Sequence, residues 1–328
     1  MDCKLHIAYA TDERYLLPTQ VAVASAVFHA GNPAELVIDI LDCGFSDQAW
    51  HRFNHDLRVA LGDDFQLVRI PVNMELYAGY KSWHSSRGIY ARLSLPDLLP
   101  RDVNWCVYAD GDTLFVDDPL KLTECFDGRF ALLGHKDDNT NSRNLWYETH
   151  GFEWDAETYI CAGFIVLNLE WARINGLTRK SLAMLREHPD IPMNDQDVLN
   201  ILCQERKSFL PKGWGVFACD AYCRETAKCI HYVGERPWEL PNLRGVWFPL
   251  TTKLWFDVAK KVACMSLFRI LGAWGVGRYG MYKVLAFVMR IFYSLIVRSK
   301  ESRYVNALAR LKCGLESMRG CATPMKMV

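Results

Sequence analysis

Apolar and polar residues form alternating blocks along the N-terminal third of the chain, and these blocks predict strands and helices in turn. Short apolar runs predict three strands, at Lys4–Ala10, Leu36–Leu41 and Phe65–Ile70. Apolar residues at helical spacing follow Pro18, and a second helix is predicted over Asp47–Ala60 with Ser46 as its N-cap. Strands that alternate with helices in this way predict an α/β fold with a largely parallel sheet.

The next predicted strand, Trp105–Ala109, runs directly into Asp110-Gly111-Asp112. Such a strand carries both carboxylates to the carboxyl edge of the sheet, where open α/β sheets bind ligands, and Gly111 allows a sharp turn there. Two hard oxygen ligands so close together can hold a divalent cation, which can in turn hold a diphosphate. An Asp-x-Asp also occurs about once by chance in a chain of this length, so the pair alone leaves an ordinary turn equally open.

Further apolar runs predict strands at Phe130–Gly134 and Ala162–Leu169, and helices that start at Thr178 and at Asn194. Carboxylates in the first turn of the last helix, Asp195 and Asp197, either complement the helix dipole or place a polar group beside a sugar. Aromatic residues among polar ones between 139 and 160 suit sugar binding, because a ring can cover the apolar face of a pyranose; the alternative is a surface loop with a few buried rings.

Three single residues each have two local interpretations. Asp12, after the first strand, could accept hydrogen bonds from a base or ribose, but its local sequence favours a helix-terminal carboxylate. Arg92 could bind phosphate, although a solvated or carboxylate-paired arginine is the more ordinary case. His231, at the end of a short apolar run, is either a core histidine or a metal ligand.

The composition, with 50% hydrophobic and 23% charged residues, is that of a globular protein, but the charge is unevenly distributed. Residues 251–328 hold 14 Lys and Arg against 3 Asp and Glu, whereas residues 1–250 hold 24 against 35. We therefore expect one domain over 1–250 and a basic, aromatic-rich helical tail over 251–328 that faces an anionic partner.

The most apolar run of the tail, Met281–Val297, contains Lys283 and Arg290, which makes it a poor transmembrane span. It favours an amphipathic helix on an anionic membrane surface, with a packed helical subdomain or a true span as alternatives. The aromatic and aliphatic bulk argues against nucleic acid as the partner.

The N-terminus lacks the basic start and apolar run of a signal peptide, so none is predicted. Twelve cysteines without paired spacing favour a reducing, cytoplasmic location. Together with the basic, apolar tail, this predicts peripheral attachment to the inner face of the cytoplasmic membrane. A zinc site is disfavoured because the group that could form it fits no common zinc spacing: Cys219, Cys223, Cys229 and His231.

Six stretches, in this order, together resemble glycosyltransferase family 8, the retaining nucleotide-sugar transferases that include bacterial lipooligosaccharide and lipopolysaccharide galactosyl- and glucosyltransferases. They are IAYATDERY, IYARLSLPDLLP, VYADGDTLFVDDPL, AGFIVLNLEWAR, NDQDVLNIL and HYVGERPW. The resemblance implies the GT-A fold, a Rossmann-like mixed sheet with helices on both faces. It also implies transfer of a hexose, galactose or glucose, from a UDP-sugar to a saccharide acceptor such as a lipid-linked lipopolysaccharide core.

The resemblance further implies roles for individual residues. Asp110, Asp112 and His231 correspond to ligands of Mn²⁺, with Mg²⁺ as an alternative. Asp195 and Gln196 correspond to the pair beside the anomeric carbon. The donor contacts that it implies are Asp12, Tyr15, Arg92, Asp110, Asp138, Gly234 and Arg236.

Three residues depart from the family pattern: Cys161 replaces an Asn, Arg14 a small amide, and Arg236 a Lys in a segment one residue short. The metal residues are intact, so we expect activity. Gln196 is a poor nucleophile, because an amide oxygen is barely basic, and this favours same-face attack by the acceptor over a covalent intermediate. The alternatives are a catalytically impaired sugar-nucleotide-binding or membrane scaffold, and a metal-dependent nucleotidyltransferase or phosphohydrolase.

Overall fold

A computed structural model describes residues 4–82, 86–137, 144–218, 226–234, 236–238 and 249–262. Strands β1 to β10 are Leu5–Thr11, Leu36–Asp42, Gln66–Pro71, Trp105–Ala109, Thr113–Phe115, Leu132–Lys136, Ile160–Asn168, Lys207–Phe209, Val216–Phe217 and Cys229–His231. Helices α1 to α8 are Leu16–His29, Asp47–Leu61, Leu95–Leu98, Asn144–Thr149, Leu169–Ile174, Leu177–Glu187, Asp195–Leu202 and Pro249–Val262. Short 3₁₀ helices include Glu13–Tyr15 and Gly88–Ser94.

Seven strands form one mixed sheet in the order β3-β2-β1-β4-β7-β6-β8. The first four are parallel, as the alternation of strands and helices predicts. Strand β7 runs antiparallel to both of its neighbours, β4 and β6, and β8 is parallel to β6. All nine residues of β7 are buried, so its sequence is a continuous apolar run that carries no information on direction.

Side chains of the central strands alternate between two cores, one on each face of the sheet. On β1, Ile7 and Tyr9 pack in the core that includes buried residues of α1 and α2, whereas Ala8 packs in the core that includes residues of α5, α6 and α7. The predicted helix over α2 is confirmed, and the Ser46 hydroxyl caps it by accepting a hydrogen bond from the Ala49 amide at 3.2 Å. The predicted mixed α/β sheet with helices on both faces is therefore what the chain forms.

Helix α8 packs against α1 and α2, and its buried residues Trp255, Phe256 and Ala259 share a cluster with residues of the second sheet, β5-β10-β9. Residues 251–262, the start of the predicted tail, therefore pack onto the body of the protein. The remainder, residues 263–328 with the apolar run Met281–Val297, lies outside the described residues. Within the part of the chain that is described, no helix is long and apolar enough to cross a membrane.

Candidate active site

Two sheets bring the predicted metal residues together. Asp110 and Asp112 follow β4, and His231 ends β10, which pairs antiparallel with β5 so that His231 lies opposite Thr113. The amide of Tyr232 donates to the Asp112 carbonyl at 2.9 Å, which fixes the end of β10 beside the acidic turn. As a result, one ligand atom from each of the three residues lies within 4.8 Å of the others.

The metal residues fit a divalent cation. His231 Nε2 is 3.2 Å from Asp112 Oδ1 and 3.8 Å from Asp110 Oδ2. Asp112 Oδ1 is buried and accepts no hydrogen bond from any described residue, which leaves a carboxylate oxygen without its usual partner. Two carboxylates and one imidazole are a donor set that suits Mn²⁺.

The charges around these residues are strongly coupled. Burial raises the pKa of the Asp110 carboxyl in spite of the neighbouring Arg92 guanidinium. Burial also acts to raise the pKa of Asp112, but the nearby charge of His231 outweighs it and the pKa is lowered. For His231, burial is outweighed by Asp112, so the imidazole pKa lies well above its ordinary value. Positive charge at this position therefore stabilises the carboxylates.

The backbone of β7 packs directly against the metal residues. The Asp110 amide donates to the Gly163 carbonyl at 2.8 Å. A Cβ atom on Gly163 would overlap the His231 ring and Asp110 Oδ2, so only glycine fits without a shift. Two residues earlier, Cys161 Sγ lies 3.9 Å from His231 Nδ1, on the ring nitrogen that does not face Asp112. Because β7 is antiparallel, its first half reaches the edge at which β4 ends.

Arg92 links the half-buried carboxylate of Asp110 to the buried carboxylate of Asp195. Its guanidinium donates to Asp110 Oδ1 at 2.8 Å and lies 3.0 Å from Asp195 Oδ2, and the Arg92 side chain is only 4% exposed. It also donates to the Ala162 carbonyl and lies over the Tyr108 ring at 4.4 Å. The carboxylate-paired interpretation of Arg92 is therefore confirmed. Burial raises the pKa of Asp195 to about 7, against the effect of Arg92, because one guanidinium serves two carboxylates.

Gln196 is held in one orientation by its amide. Its Oε1 accepts from the Ala162 amide at 3.0 Å, and its Nε2 donates to Asp137 Oδ2 at 2.9 Å. Asp137 is itself buried. Sequence reasoning chose the neighbouring Asp138, which lies outside the described residues, and missed Asp137.

The carboxylate of Asp197 is engaged in hydrogen bonds in the interior of the protein. Its Oδ1 accepts hydrogen bonds from the hydroxyls of Tyr147 at 2.8 Å and Tyr159 at 2.5 Å, and its Oδ2 accepts from the Met193 amide at 2.7 Å. Both tyrosines belong to the aromatic stretch for which sugar binding was one prediction. They are buried, and Trp154 packs against both rings. These two tyrosines therefore follow the alternative interpretation, of buried rings.

A cavity of about 380 Å³ opens beside the metal residues. Its walls include Asp12, Tyr15, Arg92, Asp110, Asp112, Arg236 and Trp238. The Tyr15 hydroxyl donates to Asp112 Oδ2 at 3.1 Å. Asp12 accepts from the Arg14 amide and guanidinium, each at 3.1 Å, so it caps the following 3₁₀ turn and lines the cavity as well. Gly234 lies in a turn with a φ of 70° and is not part of this wall.

Residues 6–240 match the family described as Glycosyl transferase family 8. The chain belongs to glycosyl transferase family 8. General stress protein A of Bacillus subtilis (strain 168) is 22% identical over 255 residues, which are 71% of this chain and 87% of that protein. Probable galacturonosyltransferase-like 3 of Arabidopsis thaliana is 31% identical over 126 residues, 36% of this chain and 34% of that protein.

Solved structures share the fold of this family 8 chain. The galactosyltransferase LgtC, in complex with donor and acceptor sugar analogs, superposes with a TM-score of 0.67 at 22% identity, covering 81% of this chain and 99% of that one. The bifunctional glycosyltransferase WbbM, in its apo structure, has a TM-score of 0.63 at 19% identity, covering 79% of this chain and 50% of that one. The predicted GT-A-type sheet is thus confirmed at the level of the fold.

The three departures from the family 8 pattern have distinct positions. Cys161 contacts the imidazole of His231. Arg14 and Arg236 both line the cavity, so two guanidinium groups contribute positive charge to its wall. In the group for which a zinc site was disfavoured, His231 lies with Asp110 and Asp112, and Cys229 is buried in β10. The other two residues of that group, Cys219 and Cys223, lie outside the described residues.

Sequence reasoning missed two aromatic residues of the site. Tyr108 donates its hydroxyl to Asp110 Oδ1 at 2.8 Å, and Trp238 lines the cavity with its ring 5.6 Å from that of Tyr15. Tyr108 lies in the strand that leads to the acidic turn, two residues before Asp110. Trp238 ends the HYVGERPW stretch. Proximity to a recognised motif was the available signal for both.

Proposed function

We propose that this chain is a retaining hexosyltransferase that moves a galactosyl or glucosyl group from a UDP-sugar to a saccharide acceptor. One observation carries the proposal: Asp110, Asp112 and His231 converge beside a cavity of about 380 Å³, a size at which proteins bind small ligands. The same cavity has Arg14 and Arg236 in its wall, which suits a diphosphate. Family membership supports glycosyl transfer over the nucleotidyltransferase alternative.

Different residues of the chain are proposed to bind different parts of the donor. Asp110, Asp112 and His231 would hold Mn²⁺ or Mg²⁺, which when bound neutralises the leaving diphosphate as a Lewis acid. Arg236 presents a guanidinium that can bind a phosphate bidentately. The carboxylate of Asp12, which lines the cavity, would accept hydrogen bonds from the uracil or the ribose. Asp138 and Gly234 remain proposed donor contacts.

Retention is proposed to follow same-face attack by the acceptor. The Gln196 oxygen already accepts a hydrogen bond from the Ala162 amide, and Asp195 is paired with Arg92, so neither presents an unengaged nucleophile. The acceptor hydroxyl would then pass its proton to a diphosphate oxygen as the bond to the sugar breaks. A sugar trapped covalently on Asp195 or Gln196 contradicts this route, and mass spectrometry after rapid quenching detects it.

The test of function is UDP release from a panel of UDP-sugars, with Mn²⁺ and with EDTA. Mn²⁺-dependent release from one donor is expected in the wild type. Asp112→Asn should lower it by at least about 100-fold, since even outer-shell partners of metals contribute 10–100-fold. Asp117→Asn is the matched control, because this carboxylate lies in the same segment but pairs with Lys121 at the surface. Equal effects of the two variants contradict the metal site.

If no UDP-sugar of the panel gives UDP release, thermal stabilisation by UDP provides a second measurement. UDP with Mn²⁺ must raise the melting temperature of a chain that binds it, whether or not water can accept the sugar. Stabilisation without turnover favours the sugar-nucleotide-binding alternative or a missing acceptor. Absence of both signals contradicts the proposed function.

The acceptor is proposed to be a lipid-linked glycan, with the basic tail on the inner face of the cytoplasmic membrane. Of the 14 basic and 3 acidic residues of 251–328, α8 carries 3 and 1, and α8 packs onto the body. The proposed lipid contact is therefore assigned to residues 263–328, which hold the remaining 11 basic and 2 acidic residues. Full-length protein should sediment with anionic but not neutral vesicles. Lys283→Glu with Arg290→Glu should abolish binding, whereas Lys121→Glu with Arg129→Glu, on the body, should not. Equal sedimentation of both double variants contradicts this role.

A further inference from the structure

Helix α8 reaches the donor cavity through a chain of aromatic rings. The Tyr15 hydroxyl bonds Asp112, and the Tyr15 ring meets Trp238 edge to face with centroids 5.6 Å apart. Trp238 lines the cavity and packs on Trp255 of α8 at 5.4 Å. Trp255 is fully buried and is not among the residues that line the cavity. Thus α8 supports a wall that it does not itself form.

A second connection joins α8 to the metal residues. Tyr232 follows His231 directly, and its amide bonds the Asp112 carbonyl at 2.9 Å. Its buried hydroxyl donates to the Thr251 carbonyl, in the first turn of α8, at 2.6 Å. One residue is therefore fixed to the acidic turn by its backbone and to α8 by its side chain.

The sheet that carries His231 packs on α8 and on α1. Strands β5, β9 and β10 have only two or three residues each, and sheets this small are marginal without packing on a helix. Leu114 and Ile230 from this sheet share one buried cluster with Trp255 and Phe256 of α8. Helix α8 therefore supplies part of the apolar surface on which these strands pack, and α1 supplies another part through Val21.

We propose that α8 is a positioning element of the donor site, in which Trp255 and the Thr251 carbonyl hold Trp238 and His231 where they receive the metal and the nucleotide. Tyr232 and Trp255 are then positioning residues that touch no ligand. The part of this inference that concerns the nucleotide rests on the proposed function. The part that concerns the geometry of His231 does not.

Hydrogen–deuterium exchange of the full chain without ligand tests the geometry. Trp255→Leu and the milder Tyr232→Phe should speed exchange in peptides covering residues 229–234, by about 10-fold for Trp255→Leu, because the second sheet loses its support. Val262→Ala is the matched control, since Val262 is buried on the same helix but belongs to the cluster that includes residues of α1 and α2, not to the cluster that holds Trp255. Unchanged exchange in 229–234, or an equal increase in the control, overturns the proposal.

Titration with Mn²⁺ and UDP tests the consequence. We expect the dissociation constant to rise about 10-fold in Trp255→Leu and about 3-fold in Tyr232→Phe, at the low end of effects of outer-shell partners. Val262→Ala should stay within about twofold, and Trp255→Phe, which keeps a ring against Trp238, should restore most of the affinity. Equal losses in Val262→Ala and Trp255→Leu at equal melting temperature overturn the proposal. A wild type that binds no UDP overturns the proposed function instead, and exchange alone then decides the inference.

Discussion

The two halves of the site are held together by different forces. Beside the large sheet, the buried Arg92 lies between the half-buried carboxylate of Asp110, which follows β4, and the buried carboxylate of Asp195, which begins α7. On the small sheet, His231 lies at the end of a three-residue strand that packs in one cluster with aromatic residues of α8. The first half is set by charge in a low dielectric and the second by packing. We therefore expect substitutions in the first half to lower the free energy of unfolding, and substitutions in the second half to shift the position of His231.

The largest effect is expected from Arg92→Met. Removing the guanidinium leaves the buried Asp195 and the half-buried Asp110 carboxylates without their cation, which costs about 3–5 kcal/mol of unfolding free energy. Urea unfolding at pH 7 in EDTA measures it.

Arg69→Met is the matched control, because Arg69 also bridges two carboxylates, Asp42 and Asp47, but nearer the surface. Its loss should cost about 1 kcal/mol or less. A similar loss of unfolding free energy in both variants would contradict the claim that buried charge interactions hold the first half in place.

A smaller and more local effect is expected from Gly163→Ala, at the point where the halves touch. The new methyl group would overlap the His231 ring and Asp110, so the affinity for Mn²⁺ should fall about 10-fold or more with little loss of fold. Electron paramagnetic resonance of free Mn²⁺ measures this affinity. Gly79→Ala, where no described atom lies near the added carbon, should change nothing. Normal metal affinity in Gly163→Ala would show that the second half adjusts freely.

The last effect is a pH dependence that belongs to the first half. Asp195 has a pKa of about 7 in the folded chain and about 3.9 when unfolded, so the folded chain binds more protons between these values. Stability of the metal-free protein should therefore fall as pH rises from about 4 to about 7, by at most about 1.4 kcal/mol per pH unit. Asp195→Asn should flatten this slope in urea titrations with EDTA. Superimposable pH profiles of variant and wild type would contradict the raised pKa.

Local patterns were enough to predict the parts of the fold that local forces determine. The strand β4 with its acidic turn, the helix α2 with its Ser46 cap, and the apolar strand β2 all follow from nearby residues. The direction of β7 did not follow, because a fully buried strand has no alternation, and its partners β4 and β6 are distant or reached through a long connection.

The boundary at residue 250 shows a different limit. Composition changes there because α8 carries Lys253, Lys260 and Lys261, but net charge does not reveal which apolar face finds a partner. Trp255 and Phe256 of the same helix are buried against the body. Likewise, the sequence pointed to Asp138 by resemblance, whereas the bond from Gln196 to Asp137 depends on a tertiary contact.

The reversed direction of β7 also has an evolutionary consequence. Strand β6 ends and β7 begins at the same edge of the sheet, with Lys136 opposite Ile160, and this is the edge that holds Asp110. Both ends of the intervening segment are therefore anchored beside the site, while the strands that carry the metal ligands lie elsewhere in the chain. Apart from Asp137, Tyr147 and Tyr159, which bond Gln196 and Asp197, and the proposed donor contact Asp138, the sequence of that segment can change in descendants of this gene without a change in the metal ligands.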